Sequence, residues 1–189
     1  ITVAADGENT IVVAPGANAT VTELTDGDRR AIAAADILVC QLELPLETVT
    51  AAARYTRSTS TLFVLNCAPA RPLPEELIAA LDVVVVNETE AAQAGPDVLA
   101  RIPQVVTTLG RAGARYRGPD GETTVPAVRV EVVDTTGAGD AFIGALVAYW
   151  RRGPETALRA AVAAGALATT RHGATAAMPD VLEIERLMR

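Results

Sequence analysis

Two spacings of apolar residues divide this chain. The opening ITVAADGENTIVVAPG alternates apolar segments around DGEN, which predicts a lid-like β-hairpin over residues 1–14. From Leu24 the pattern becomes an alternation of helix and strand. TDGDRRAIAAAD has helical spacing, ILVCQLE reads as a buried strand, PLETVTAAARYTRS as a helix and TLFVLN as another strand. PEELIAALD, VVVVNETE, a short helical piece at residues 96–100 and QVVTTLG continue the series. Alternation returns around GPDGE, predicting a second hairpin over residues 114–133. Three helical segments follow, at residues 138–151, 155–169 and 180–188, with Gly153 and Pro154 separating the first two.

Short apolar strands joined by helices form βαβ units, and right-handed crossovers gather such units into a parallel sheet covered on both faces. The expected fold is therefore α/β, a doubly wound and mostly parallel sheet with helices on both sides, plus small β lid elements. Ligands of such sheets collect beyond the carboxyl ends of the strands. Polar residues stand at those ends: Gln41 to Glu43, Asn66, Asn87 to Glu90, and Thr108 to Gly110. At 189 residues, half of them hydrophobic, one domain is expected, and no linker rich in Ser, Pro or charge divides it.

Charge and composition narrow the chemistry. A net charge of −7 argues against nucleic acid as a partner, because a phosphate-backbone binder needs a basic face. All sixteen basic residues are arginine, so a Walker-type phosphate loop and any Schiff-base lysine are excluded. Cys40 and Cys67 each end an apolar run and are expected to be buried and reduced. One histidine, His172, makes no metal cluster alone. No 18-residue apolar stretch spans a membrane, and the reading is a cytoplasmic protein without a membrane partner.

The stretch VVDTTGAGDAFIGALVAYW then stands out. A glycine turn after a strand lets backbone approach a ligand, and the start of the next helix offers N–H groups and the positive end of its dipole to an anion. An acid there, Asp140, is placed to take a proton from an attacking hydroxyl, as phosphoryl transfer requires. The plainer alternatives are an ordinary turn and a dipole-stabilising acid.

DTTGAGD resembles the signature of the ribokinase family of carbohydrate kinases. APGANA, QLELP, LNCAPAR, NETE and TLGRAG also resemble segments of that family, in the same order and over nearly the whole chain. The resemblance implies an ATP-dependent kinase acting on D-ribose or a related small sugar, most simply at the 5-hydroxyl of ribose. It implies Asp140 as catalytic base, with Gly137, Ala138 and Gly139 as backbone anion hole, and Glu43 as the acid that binds sugar hydroxyls. Asn87 and Thr108, Leu109, Gly110, Arg111, Ala112 and Gly113 would line the nucleotide, together with Gly139. Glu90 would organise Mg²⁺ through water. Asp134, Thr136, Ala168, Arg171 and Gly173 would hold a monovalent cation, K⁺, the last three through their carbonyls; Ala177 stands where some relatives offer a serine.

Several of these positions have alternatives on sequence alone. Asn87 and Glu90 form the pattern of a helix capping box. Glu43 reads equally as a solvent-facing strand end, and residues 108–113 as a plain strand-to-turn passage. Asn66 shapes the loop before Pro69 and is not taken as a ligand. A kinase for another sugar or nucleoside, and a catalytically silent sugar- or nucleotide-binding protein, remain alongside ribose phosphorylation. The resemblance further implies a segment ahead of Ile1, bearing an early aspartate and a GGKGAN-like sugar-gripping loop, so this sequence is read as the later part of a longer chain. The interval from Ala91 to Gln104 is short for the family. A homodimer paired through a lid made of the opening hairpin and residues 114–133 is one arrangement; a monomer is the other.

Overall fold

In the computed structural model the described residues are 2–3, 9–10, 14–119 and 121–189. In chain order they form β1 (Thr2–Val3), β2 (Asn9–Thr10), α1 (Asp26–Ala34), β3 (Ile37–Cys40), α2 (Leu46–Thr56), β4 (Leu62–Asn66), α3 (Glu75–Ala80) and β5 (Val83–Asn87). There follow α4 (Glu88–Ala94), α5 (Pro96–Ala100), β6 (Gln104–Thr108), β7 (Ala114–Gly118), β8 (Gly121–Val125), α6 (Ala138–Tyr149), α7 (Pro154–Ala168) and α8 (Val181–Leu187). None of these helices is long and apolar enough to cross a membrane.

The main sheet runs in the order β3-β4-β5-β6-β7-β8. Its first four strands are parallel, and β7 and β8 continue it antiparallel. Successive side chains of a strand point to opposite faces, so a strand buried on both sides is apolar throughout. β4 and β5 show this directly. Val64, Val83 and Val85 join α6 and α7 in one core, whereas Phe63, Leu65, Val84 and Val86 join the α2 and α3 side in the other. Each fully buried side chain of this kind contributes about 1.5–3 kcal/mol.

Helix starts follow local chemistry. Thr25 and Asp28 close a capping box on α1, and Asp180 with Glu183 closes one on α8. Pro154 occupies the first turn of α7, where its missing N–H costs no bond. Alanines bring α7 close beneath α6: Ala157, Ala160, Ala161 and Ala164 are all buried. At Gly165 a Cβ would stand 3.4 Å from the Ala138 carbonyl and 3.6 Å from Phe142 Cβ, so the two helices are in van der Waals contact there.

Three expectations change. ILVCQLE is not a fully buried strand among the described residues: β3 stands at the edge of their sheet, stops at Cys40, and leaves Val39 37% exposed. The strand through VVVVNETE ends at Asn87, because Asn87 caps α4 and turns the chain into a helix. The hairpin around GPDGE closes at Val125 rather than Val133 and extends the main sheet instead of forming a lid. Beyond it Pro126 has no N–H to give a ladder, and Val132 and Val133 are 57% and 45% exposed, so the alternation of VRVEVV carries no sheet face. At the opening, β1 pairs antiparallel with β2 through Thr2 with Thr10 and Val3 with Asn9, as the hairpin reading requires. Residues 4–8, which join the two strands, lie outside the described residues.

Candidate active site

The parallel strands end on one side of the sheet, and their loops are stitched there. Leu42 N–H donates to Ala68 O at 2.9 Å and Cys67 N–H to Val85 O at 2.9 Å, tying the segments after β3 and β4 to each other and to β5. Asn87 and Thr108 are register partners at the ends of β5 and β6. Burial raises the Cys67 thiol above its ordinary value, and the Glu90 charge nearby adds to the shift. Cys40, half-buried at the end of β3 rather than fully buried, is pushed up to about 11 by desolvation. Both cysteines are free, as expected, and a thiol so disfavoured as thiolate is packing rather than nucleophile.

The head of α6 closes this end of the sheet. Gly137 is its N-cap, with φ 76° and ψ 0°, a left-handed conformation that glycine adopts without penalty. No side chain caps the helix. Ala138 N–H reaches back to Thr135 O at 3.3 Å, while the amides of Gly137, Gly139 and Asp140 meet no acceptor among the described residues. Free amides at the positive end of a helix dipole make an anion seat. Asp140 stands exposed in the first turn, and its Oδ1 accepts from Gln41 Nε2 at 3.2 Å. Gln41, Asp140, Val39, Ile143, Gly144 and Val147 line an open groove of about 270 Å³ between the β3 edge and α6.

A second junction lies behind the glycine turn. Both carboxylate oxygens of Asp134 are engaged: Oδ1 accepts from Thr136 N–H at 2.9 Å and from its hydroxyl at 2.7 Å, and Oδ2 from Gly173 N–H at 2.9 Å. These bonds, Gly173's first, hold the Asp134 carboxyl at about 2, below its ordinary 3.8, so it is ionised throughout the neutral range. Thr169 O meanwhile receives the amides of Val133 and Asp134. Ala168, buried, is the last residue of α7. The Arg171 guanidinium pairs with Glu183, leaving its backbone to serve any other role.

Of the positions singled out in the sequence, Asp134, Thr136 and Gly173 are brought together directly, and Gly137, Ala138, Gly139 and Asp140 form one turn. Asn87 and Glu90 form the capping box: Asn87 Oδ1 accepts from Glu90 N–H at 2.8 Å and Glu90 Oε2 from Asn87 N–H at 2.7 Å. That alternative is therefore realised, with Glu90 Oε1 and the Asn87 amide nitrogen left over. Thr108 ends β6, and Leu109, Gly110, Arg111 and Ala112 form a tight turn closed by Leu109 N–H to Gly113 O at 2.8 Å. Gly113 is buried, and a Cβ there would lie 2.0 Å from Val125 O. The position therefore requires glycine so that β8 can pass, whatever its backbone contacts. Glu43 is exposed, two residues past Gln41 on the same loop. Sequence reasoning missed the seating of Gly137 against Ala174 and Met178, for which the loop gives no periodic signal. No group of three His, Cys, Asp or Glu among the described residues is arranged to hold a metal.

An open α/β sheet whose strand ends face a glycine-turned, uncapped helix with an acid in its first turn has the layout of a phosphoryl-transfer enzyme. The model of the pfkB family of carbohydrate kinases matches residues 1–181, and the chain belongs to that family. It is 34% identical over 206 residues to a ribokinase of Staphylococcus aureus, covering 99% of this chain and 68% of that protein. To a Bacillus subtilis ribokinase it is 37% identical over 195 residues, covering 98% and 67%. The structure of Arabidopsis thaliana ribokinase complexed with ribose and ATP superposes with a TM-score of 0.90 at 27% identity, over 97% of this chain and 66% of that one. The chain thus spans about two thirds of the length of these relatives.

Proposed function

We propose that this protein is an ATP-dependent ribokinase that transfers the γ-phosphoryl group of ATP to the 5-hydroxyl of D-ribose. The observation that carries the reading is the head of α6: amides without acceptors beside a carboxylate in the same turn. The ribokinase relatives supply the substrate class.

Asp140 takes the proton as the sugar oxygen attacks phosphorus, the bond from phosphorus to the β,γ-bridging oxygen breaks, and ADP leaves with that oxygen. Charge on the transferred group is greatest in the transition state, so fixed donors there lower the barrier more than they tighten ground-state binding. Gly137, Ala138 and Gly139 present these donors, the Ala138 amide by giving up its long bond to Thr135 O. No lysine stands among these 189 residues, and the backbone amides of the turn are the donors assigned to this task.

Glu43 accepts from sugar hydroxyls. Asn87, Thr108, Leu109, Gly110, Arg111 and Ala112 border the nucleotide. Mg²⁺ fits a single carboxylate oxygen acting through water, and Glu90 Oε1 is that oxygen; the ion would neutralise phosphate charge. K⁺ fits the loops clasped by Asp134, whose ionised carboxylate supplies the counter-charge, with Thr136 and the carbonyls of Ala168, Arg171 and Gly173 around it.

The test is ADP release by the purified protein with ribose, ATP, Mg²⁺ and K⁺, compared with Asp140→Asn. The substitution is expected to lower kcat by roughly 10²–10⁴ while ATP affinity, measured by calorimetry, is retained. An Asp140→Asn enzyme with near-normal kcat would remove the base assignment.

A further inference from the structure

Gln41 is the one described side chain bonded to Asp140, at 3.2 Å between Nε2 and Oδ1. A carboxylate only accepts, so the amide nitrogen of Gln41 must be the atom that faces it. The Gln41 backbone is fixed on one side by β3, which ends at Cys40. On the other side, Leu42 is 2% exposed in the core and donates its N–H to Ala68 O at 2.9 Å. The side chain thus leaves a rigid stem and crosses to the first turn of α6. Asp140 Oδ2 meets no donor among the described residues.

We infer that Gln41 is a positioning residue for the phosphoryl transfer: it holds one oxygen of Asp140 so that the other is presented to the substrate hydroxyl. An aspartate in an exposed helical turn otherwise turns freely about its last side-chain bond, and only some orientations aim an oxygen lone pair at the reacting proton. A neutral amide suits the task. It fixes the carboxylate without placing a cation on it, whereas an arginine would bind both oxygens in a fork and leave neither for the proton. This inference rests on the assignment of Asp140 as base.

Gln41→Met keeps the length of the side chain and removes the donor, and Gln41→Glu keeps the shape and replaces the donor with a like charge. Gln41→Met is expected to lower kcat about three- to tenfold, the range of one hydrogen bond at a partly exposed site, with KM for ATP unchanged. Gln41→Glu is expected to lower it further. In single-turnover reactions with enzyme in excess, adding Gln41→Met to Asp140→Asn is expected to cause no further loss, because the carboxylate through which Gln41 acts is already gone. A readout independent of turnover is the side-chain amide signal of Gln41 in nitrogen–proton NMR spectra, expected to move on Asp140→Asn in a protein that keeps its other resonances. Equal loss from Gln41→Met in the two backgrounds would make its role structural and overturn the inference, as would full activity of Gln41→Met or an unmoved amide signal. Loss of the base assignment would show separately, as near-normal activity of Asp140→Asn alone.

Discussion

Replacing Gly137 by alanine tests whether the left-handed turn sets the position of the anion seat. At φ 76° an L-residue meets its own carbonyl, at a cost of about 1–2 kcal/mol. Space is also limited: the new Cβ would stand 3.0 Å from Met178 Cε, 3.3 Å from Ala174 Cα and 3.5 Å from Ala174 Cβ. The methionine end can swing away, but Ala174 Cα is backbone and must give by a few tenths of an ångström. In a domain of this size 1–2 kcal/mol lowers Tm by roughly 2–8 °C. The alternative is to relax the turn and tilt the first amides of α6, and since a 1 Å misplacement can cost on the order of 10²-fold, a shift of tenths is expected to lower kcat by about tenfold. Differential scanning calorimetry and ADP release, run on the same preparations, measure both. Gly139→Ala is the internal comparison, because no atom lies within 4 Å of its Cβ and its φ is not in the left-handed region. Alanine inside a helix is favoured by up to about 1 kcal/mol, so its Tm is expected to hold or rise. A Gly137→Ala protein with Tm and kcat both unchanged would refute the claim that this conformation builds the seat.

Two further outcomes follow from the loops around it. Asp134 has its folded-state pKa depressed to about 2, so the stability it contributes is fully present above its unfolded value of 3.8 and is lost as pH falls through about 2. Melting temperatures recorded from pH 5 to pH 2 are therefore expected to fall less steeply in Asp134→Asn than in the parent, from a lower starting value at pH 5. Glu43→Ala is expected to raise KM for ribose by about tenfold, as one charge-assisted hydrogen bond of about 1.5 kcal/mol would, and to leave KM for ATP in place; an unchanged ribose KM would release Glu43 from the sugar site.

Much of this architecture was legible because apolar runs are unambiguous when a strand is buried on both faces. TLFVLN, VVVVN and QVVTT become β4, β5 and β6 with no polar side chain inside them except at their ends and in the threonines of β6. ILVC is as apolar but lies at an edge among the described strands, and composition does not report how many neighbours a strand has. VRVEVV alternates like a strand and joins no sheet among the described residues, since pairing depends on a partner that periodicity does not name. DTTGAGD was readable because a positive φ at a helix start demands glycine and leaves that demand in the sequence. The link from Gln41 to Asp140 spans 99 positions and leaves no such trace; a polar residue at a strand end was the only sign of it. At Gly113 the sequence shows a glycine without its reason, and the close passage of Val125 supplies one.

The contact of α6 with α7 at Gly165 gives the pocket an unusual kind of durability. The turn proposed to face phosphate is mounted on two helices that share a buried face, α6 and α7, rather than on a loop alone. Fraying of the exposed strand ends would leave that mount in place.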